Sequence, residues 1–270
     1  MFNNSIFDSK YVCQISMKSI ISFLIRFVPR KYLQLFSHIP LKVYAIFIKG
    51  DAVECTVCSG KFKKFLPYGR LEPRENALCP SCLSLERHRL MYLYLRKKTN
   101  FFEKKQRVLH VAPEYCFIDR FDELPNLDYL TADIESPLAK VKMNIEKIQY
   151  PNNSFDVIFC NHVLEHVEYF DVATKELYRV LKPGGWAIMQ SPQDMSMAHT
   201  LEDDSITDPR ERERVFRQSD HLRLFGQDYG KELAKAGFKV TEDDYVRQLP
   251  IESSTRFALP MEEIIYFCEK

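Results

Sequence analysis

SFDVIFCNHVLEHVEYFDVATKELYRVLKPGGWAIMQSP, residues 154–192, reads as strand, turn, helix, tight turn and strand. Phe155–Cys160 is a short apolar run of the kind that fills a strand buried on both faces. Between Tyr169 and Leu181 the apolar residues Phe170, Ala173, Leu177, Val180 and Leu181 recur at three- and four-residue steps, which marks one face of a helix. Lys182-Pro183-Gly184-Gly185 stops that helix, because proline cannot continue it and glycine permits the reversal. Trp186–Gln190 then restarts as a strand. A strand–helix–strand unit of this length implies parallel strands joined by a right-handed crossover, and so an α/β sheet.

Upstream, Arg107–Ala112, Leu127–Thr131 and Val141–Ile145 are expected as three further strands. Downstream, Tyr229–Ala236 reads as a helix ending at Gly237, and Phe238–Tyr245 and Ile264–Cys268 as a closing antiparallel hairpin at the sheet edge. FDVIFCNHVLEHV followed by ELYRVLKPGGW resembles the fourth strand, fourth helix and fifth strand of class I S-adenosylmethionine-dependent methyltransferases of the type 11 kind. The resemblance is good over about residues 107–190 and looser over 220–270. It implies a Rossmann-like seven-stranded sheet with an antiparallel last strand, and S-adenosylmethionine as cofactor.

In that family the first strand ends in an acid and a glycine-rich turn. Here the text is His110-Val111-Ala112-Pro113-Glu114, with no glycine and with His110 where the acid is usual. Ala112 is small enough for a close approach, and Glu114 is the group left to hold the cofactor's ammonium. A similar H-x-A-P-E turn occurs in a subgroup of bacterial methyltransferases that also carry an N-terminal four-cysteine ribbon. Asp133, followed by Ile134, ends the second strand about 20 residues beyond the first turn, where a carboxylate accepts both ribose hydroxyls. Asn144 stands where the family often has an aspartate near the adenine. Asn161 and His162 follow the fourth strand and are expected to line the pocket, since ligands in open α/β sheets bind beyond the carboxyl ends of the strands. His162, Glu165 and His166 also have metal-site spacing, but no third ligand is legible and they are read as pocket lining.

Cys55-Thr-Val-Cys58 and Cys79-Pro-Ser-Cys82 are two CxxC turns separated by a loop containing Gly60, Pro67, Gly69 and Pro73. Two such turns complete a tetrahedron of thiolates around Zn²⁺, with no open position, so the zinc is expected to be structural. Immediately after them, Leu83–Leu95 suggests a helix, on which Arg87, His88 and Arg89 form either an anion-binding cluster or a solvated basic face. The expected organisation is a basic, apolar helical extension over residues 1–50, a zinc ribbon with its linker helix over 51–104, and the methyltransferase domain over 105–270.

The 270 residues carry a net charge of +1, unevenly spread. Residues 1–110 hold 20 Lys and Arg against 7 Asp and Glu, a net +13, and residues 111–270 hold 18 against 30, a net −12. Either the two halves attract each other, or the N-terminal part faces an anionic partner. Residues 15–48 are apolar with scattered basic residues, interrupted by Pro29 and Pro40, and no uncharged run approaches membrane-spanning length. They read either as a helical extension packed on the protein or on a second subunit, or as a basic helix at an anionic lipid surface. No signal peptide is evident and the eight cysteines do not form a disulfide framework. The expected location is therefore the cytoplasm, with peripheral membrane contact as an option.

Residues 193–226 have little apolar periodicity and read as a lid or substrate segment, with a short helix over 210–217. Within it, Ser219-Asp220-His221-Leu222-Arg223-Leu224-Phe225-Gly226 offers His221 as a general base beside Asp220, or a structural cluster that closes the lid. The activity implied by the resemblance is methyl transfer to a small-molecule or glycan hydroxyl. RNA base methylation is the alternative, since a ribosomal RNA guanine methyltransferase also carries such a ribbon. An inactive binding module of the same fold is the third reading. RNA binding would weaken steeply with salt and binding of a neutral glycan would not.

Overall fold

The computed structural model describes residues 40–69 and 73–270. The expected helix over residues 15–48 therefore lies mostly outside the described residues. Its end, α1 (residues 40–47), exposes Val43, Tyr44, Ile46 and Phe47. No helix among the described residues is long and apolar enough to cross a membrane.

The ribbon is built from two antiparallel pairs. β1 (Lys49–Glu54) pairs with β2 (Lys61–Phe62), and β3 (Leu66–Tyr68) pairs with β4 (Arg74–Leu78). α2 (Glu86–Lys98) follows, then β5 (Gln106–Val111), α3 (Tyr115–Asp122), β6 (Leu127–Asp133), β7 (Val141–Lys142) and β8 (Phe155–Cys160). α4 (Phe170–Val180) leads into β9 (Leu181–Ile188). Residues 193–226 hold β10 (Leu201–Glu202), α5 (Pro209–Phe216) and β11 (Arg223–Leu224). α6 (Tyr229–Ala234), β12 (Lys239–Asp243), α7 (Ile251–Arg256) and β13 (Ile265–Glu269) complete the chain.

Seven strands form one sheet in the order β12-β13-β9-β8-β5-β6-β7. β9, β8, β5, β6 and β7 are parallel neighbours, and β13 runs antiparallel between β9 and β12. This is the expected seven-stranded class I arrangement. As the sequence reading expects, β12 and β13 form an antiparallel hairpin at the sheet edge, with β12 outermost and β13 between β12 and β9. Cys268 pairs with both Ala187 and Val240, so β13 is apolar on both sides of its pairing. The third strand is shorter than expected, two residues of Val141–Ile145.

Lys182-Pro183-Gly184-Gly185 bulges out of β9 rather than preceding it. Leu181 pairs with Phe155, and pairing resumes at Trp186 with Val157. Gly184 sits at φ +75, in the left-handed region that glycine enters without a Cβ penalty.

Alternate strand residues point to opposite faces. Val157, Phe159, Trp186 and Ile188 pack with Phe101, Phe117, Phe121, Met91 and Leu95 under α2, α3 and the ribbon. Ile158, Cys160 and Ala187 pack with Ala173, Leu177 and Leu233 under α4 and α6. The ribbon helix thus covers one face of the sheet.

Arg89 ties the ribbon down. It is fully buried and stacks over the Phe65 ring at 4.2 Å. Its Nε donates to Phe257 O at 2.7 Å, Nη1 to Ala77 O and Ser84 O, and Nη2 to Asn76 O and Ala258 O. All five guanidinium N–H donors meet backbone carbonyls. Neither sequence reading of Arg89, anion site or solvated face, survives this placement. The side chain is on the inner face of α2, where the helix meets the ribbon and the C-terminal connection.

Candidate functional site

The first functional turn joins β5 to α3. β5 is buried between β6 and β8, so His110 is fully buried. Val111 is buried, and Ala112 takes φ +47 while its N–H donates to Ala132 O at 2.8 Å. A left-handed non-glycine residue costs about 1–2 kcal/mol, and the small Cβ of alanine keeps the backbone approachable. Pro113 fixes the next φ, and Glu114 is the residue before the first turn of α3.

The Glu114 carboxylate is held from three sides. Oε2 meets His110 Nε2 in a short contact, Asn161 Nδ2 donates to Oε1 at 3.2 Å, and His88 Nε2 lies 3.9 Å from Oε1. His110 Nδ1 lies 2.7 Å from the Tyr129 hydroxyl. Burial works to raise the carboxyl, but the His110 imidazole outweighs it and holds Glu114 down at about 2. The usual strand-end acid is thus replaced by a buried histidine that fixes an ionised glutamate four residues on.

The other expected cofactor positions lie at the same end of the sheet. Asp133 ends β6, and its Oδ1 accepts from the Glu135 and Ser136 amides at 2.8 and 2.7 Å. Oδ2 has no hydrogen bond among the described residues. Ile134 beside it is 60% exposed. Asn144 follows β7; its Oδ1 accepts from the Glu146 amide and its Nδ2 donates to Glu146 Oε2. Asn161 is buried after β8 and also accepts from Gln190 N at 3.2 Å. His162 takes φ +55.

The imidazole Nε2 atoms of His88, His162 and His221 are buried without a hydrogen-bond partner among the described residues. His88 comes from the ribbon helix, a contribution to the site that the sequence reading did not assign. Its only signal was its position two residues inside α2, which means little until α2 is known to lie over α3. Leu85 N donates to His88 Nδ1 at 3.1 Å, so Nε2 carries the proton of the neutral ring.

Burial first, then the charge of Arg87, lowers His88 to about 3 from the usual 6.5. The unfolded chain therefore takes up a proton more readily than the native protein. The contribution of neutral His88 is complete above pH 6.5 and is lost as pH falls towards 3. Between pH 6.5 and 5 the loss is about 2 kcal/mol. Urea midpoints at pH 7 and pH 5 should show a larger fall for the wild type than for His88→Gln, which cannot titrate. Equal falls would mean that His88 is not buried neutral. Glu114 titrates below this window and does not interfere.

His221 and Asp220 do not pair. The Asp220 carboxylate lies 3.7 Å from His166 Nδ1, and His221 Nδ1 donates to Phe216 O at 3.1 Å. Burial pushes His221 down to about 4, so it is a neutral ring at physiological pH. Arg223 of the same stretch is buried and donates to Leu164 O and Val167 O at 2.8 and 2.6 Å, with Glu202 as its ion partner. It fastens the segment over residues 193–226 to the loop after β8. Gly226 completes the fastening, because a Cβ there would meet His199 O at 2.7 Å.

The four cysteines converge as the spacing requires. Cys55 and Cys82 Sγ are 3.6 Å apart, Cys58 and Cys79 Sγ 3.7 Å, and all four lie within 4.8 Å of one another. Thiolates about 2.3 Å from a tetrahedral zinc are about 3.8 Å apart, so the set fits that ion. Ser84 Oγ lies 3.1 and 3.2 Å from two of the sulfurs.

Residues 118–189 match the family described as "Methyltransferase domain". The chain is 47% identical over 45 residues to the ubiquinone/menaquinone biosynthesis C-methyltransferase UbiE of Pseudoalteromonas translucida, 17% of this chain and 18% of that protein. It is 33% identical over 84 residues to the ubiquinone biosynthesis O-methyltransferase of Rickettsia canadensis, 28% of this chain and 36% of that one. The matches thus span well under half of these relatives. Among solved structures, an S-adenosylmethionine-dependent methyltransferase of Mesorhizobium loti aligns with TM-score 0.45 and 13% identity, over 66% of this chain and 97% of that one. One from Archaeoglobus fulgidus aligns with TM-score 0.45 and 16% identity, over 67% and 93%.

Proposed function

Because the chain carries a methyltransferase domain in the class I fold, we propose that it transfers a methyl group from S-adenosylmethionine to a hydroxyl of a small-molecule or glycan acceptor. The observation that carries this is the buried, ionised Glu114 at the end of β5, facing the same sheet end as Asp133. Glu114 is the residue to hold the cofactor's ammonium, and the free oxygen of Asp133 is available to the ribose hydroxyls. The left-handed Ala112, with His110, Val111 and Pro113, shapes the turn around the methionine part. Asn144 and Ile134 are positioned for the adenine side, and Asn161 and His162 for the wall after β8.

The bound cofactor supplies a methyl group already activated by its sulfonium. The protein's task is then to align the acceptor oxygen in line with that methyl group and to exclude water. α2 and the lid segment, the latter fastened by Arg223, are the elements placed to do so. The polar edge after β8, where Glu165, His166 and His221 meet, is where an acceptor hydroxyl would lose its proton. Asp220 acts there through His166 rather than His221.

Cys55, Cys58, Cys79 and Cys82 hold a structural zinc in this reading. The names of the relatives, C- and O-methyltransferases of quinone biosynthesis, favour a small acceptor over RNA. So does the ribbon's position: Arg256 of α7 binds Asp51 and Glu54 of β1, so the ribbon folds back on the catalytic half.

The test is calorimetric titration of the zinc-loaded chain with S-adenosylmethionine, wild type beside Asp133→Ala. Micromolar binding is expected, weakened tenfold or more by the substitution, because a charged acceptor of hydrogen bonds is worth about 1.5–3 kcal/mol. No heat from folded wild-type protein would overturn the enzyme reading in favour of a binding module. With binding established, S-adenosylhomocysteine release should follow addition of phenolic or sugar acceptors and not of RNA.

A further inference from the structure

The geometry points to a second metal site, separate from the cysteine cluster, in which Glu165, His166 and His221 bind one divalent transition-metal ion. Glu165 and His166 follow β8, and His221 arrives from the lid segment 55 residues later. One carboxylate oxygen and one nitrogen from each ring lie within 4.8 Å of one another. The two rings meet edge to face with centroids 4.7 Å apart.

Each ligand is oriented by a neighbour that leaves its metal-binding atom free. His221 Nδ1–H donates to Phe216 O at 3.1 Å, and His166 Nδ1–H to Asp220 O at 3.0 Å. Both tautomers are thereby set with a lone pair on Nε2. Ser191 Oγ donates to Glu165 Oε2 at 2.6 Å, which leaves Oε1 turned to the rings, 4.0 Å from His166 Nε2. Carbonyl and hydroxyl partners behind the ligands are what metal-binding histidines and carboxylates ordinarily have.

The independent observation is His221 itself. It is 2% exposed, yet its Nε2 has no hydrogen-bond partner among the described residues. A buried imidazole acceptor facing a carboxylate oxygen gains nothing from that neighbour, because both atoms carry lone pairs. A cation between them removes the conflict.

Ligands about 2.1 Å from a metal lie about 3–3.4 Å apart, so the cluster must contract slightly. His166, the half-exposed member, has the room to move. Two imidazoles and one carboxylate suit Zn²⁺, Fe²⁺, Mn²⁺ or Co²⁺ rather than Ca²⁺ or Mg²⁺. Three protein ligands leave positions open for water or an oxygen of the acceptor. His162, whose Nδ1 is 3.6 Å from Glu165 Oε1, stands between this site and Asn161. These are the same side chains that form the edge proposed for the acceptor's proton loss, but the metal site rests on their geometry alone and is tested by binding, without the methyl-transfer reaction.

The probe is Co²⁺ added to the full chain carrying a single measured equivalent of zinc, which the four thiolates hold first, followed by visible absorption. One further equivalent is expected, with d–d bands and without the sulfur charge-transfer band that cobalt in the cysteine site would give. His221→Ala, Glu165→Gln and His166→Ala should each weaken it at least tenfold. His199→Ala, an exposed histidine elsewhere, should not. Melting curves monitor folding, and should buried His221 prove indispensable for it, the half-exposed His166→Ala carries the test. No further equivalent at millimolar Co²⁺, or unchanged affinity in His166→Ala, would overturn the site.

Discussion

Removing zinc from the four-cysteine module is expected to abolish cofactor binding as well as unfold the ribbon. The ribbon's strands are two to six residues long, and Val53, Val57, Phe62, Phe65 and Ala77 are its principal buried side chains. Such a core cannot offset the chain entropy of some 35 residues. Structural zinc supplies about 10–16 kcal/mol in comparable small modules. The consequence reaches the cleft because α2 begins four residues after Cys82. α2 places Met91 against Asn161 Nδ2 at 3.4 Å and His88 against Cys116 and Glu114. Without the metal, the start of α2 loses its anchor, and the wall beside Glu114 opens to water. Chelation, or Cys79→Ser, should lower the melting temperature by roughly 10 °C or more and weaken S-adenosylmethionine binding at least tenfold. Re-added zinc should restore the chelated wild type. Quantitative metal removal with an unchanged melt and unchanged affinity would refute the structural role.

Arg89→Met is expected to be nearly as damaging with the metal still bound. The substitution keeps the buried length of the side chain but deletes five N–H donors. Five carbonyls from the ribbon, the loop before α2 and the C-terminal connection are then left without them. Each buried, unpaired carbonyl costs about 1–3 kcal/mol before relaxation. The net loss expected after water and backbone adjust is about 3–5 kcal/mol. Arg89→Lys should rescue little, since an ammonium has three donors without the planar fork. The guanidinium has no carboxylate among its hydrogen-bond partners. Burial works against its charge, and Glu86 and the four-cysteine cluster are the negative groups that face it through space. Double-mutant analysis of Arg89→Met with Cys79→Ser should therefore show strong coupling. Denaturant midpoints decide the matter: a lysine variant as stable as the wild type would mean that the carbonyl network is not what fixes the ribbon.

The four cysteines and Arg89 illustrate where sequence reading reaches and where it stops. The cysteines are legible because a CxxC turn brings two thiolates together by local geometry alone. The strand–helix–strand core is legible for a similar reason: a short apolar run marks β8 as a strand buried on both faces, and three- and four-residue steps in α4 follow from helix pitch. The composite turn at His110–Glu114 is half legible. Its position at a strand end follows from the pattern, but the way His110 ionises Glu114 requires the i, i+4 separation to close in space. Arg89 reads locally as one of three consecutive polar residues on a helix. Only the ribbon packing beneath it and residues 257–258 arriving from the far end of the chain turn it inward.

The same holds for His221. Its adjacency to Asp220 suggested a base and its partner, but the turn over Gln218–His221 directs the two side chains to different partners. Folding brings His221 to Glu165 and His166 instead, and sends Asp220 to the outer side of His166. Sequence alone thus determined the sheet, the cysteine cluster and the stretches that meet at the sheet's carboxyl end, because each rests on periodicity or short-range spacing. Tertiary structure alone decided which side chains face one another across that end, the placement of β13 between β9 and β12, and the packing of the ribbon helix beside Glu114 and Asn161. Those depend on contacts between segments far apart in the chain, whose pairing is set by global packing and leaves no local signature.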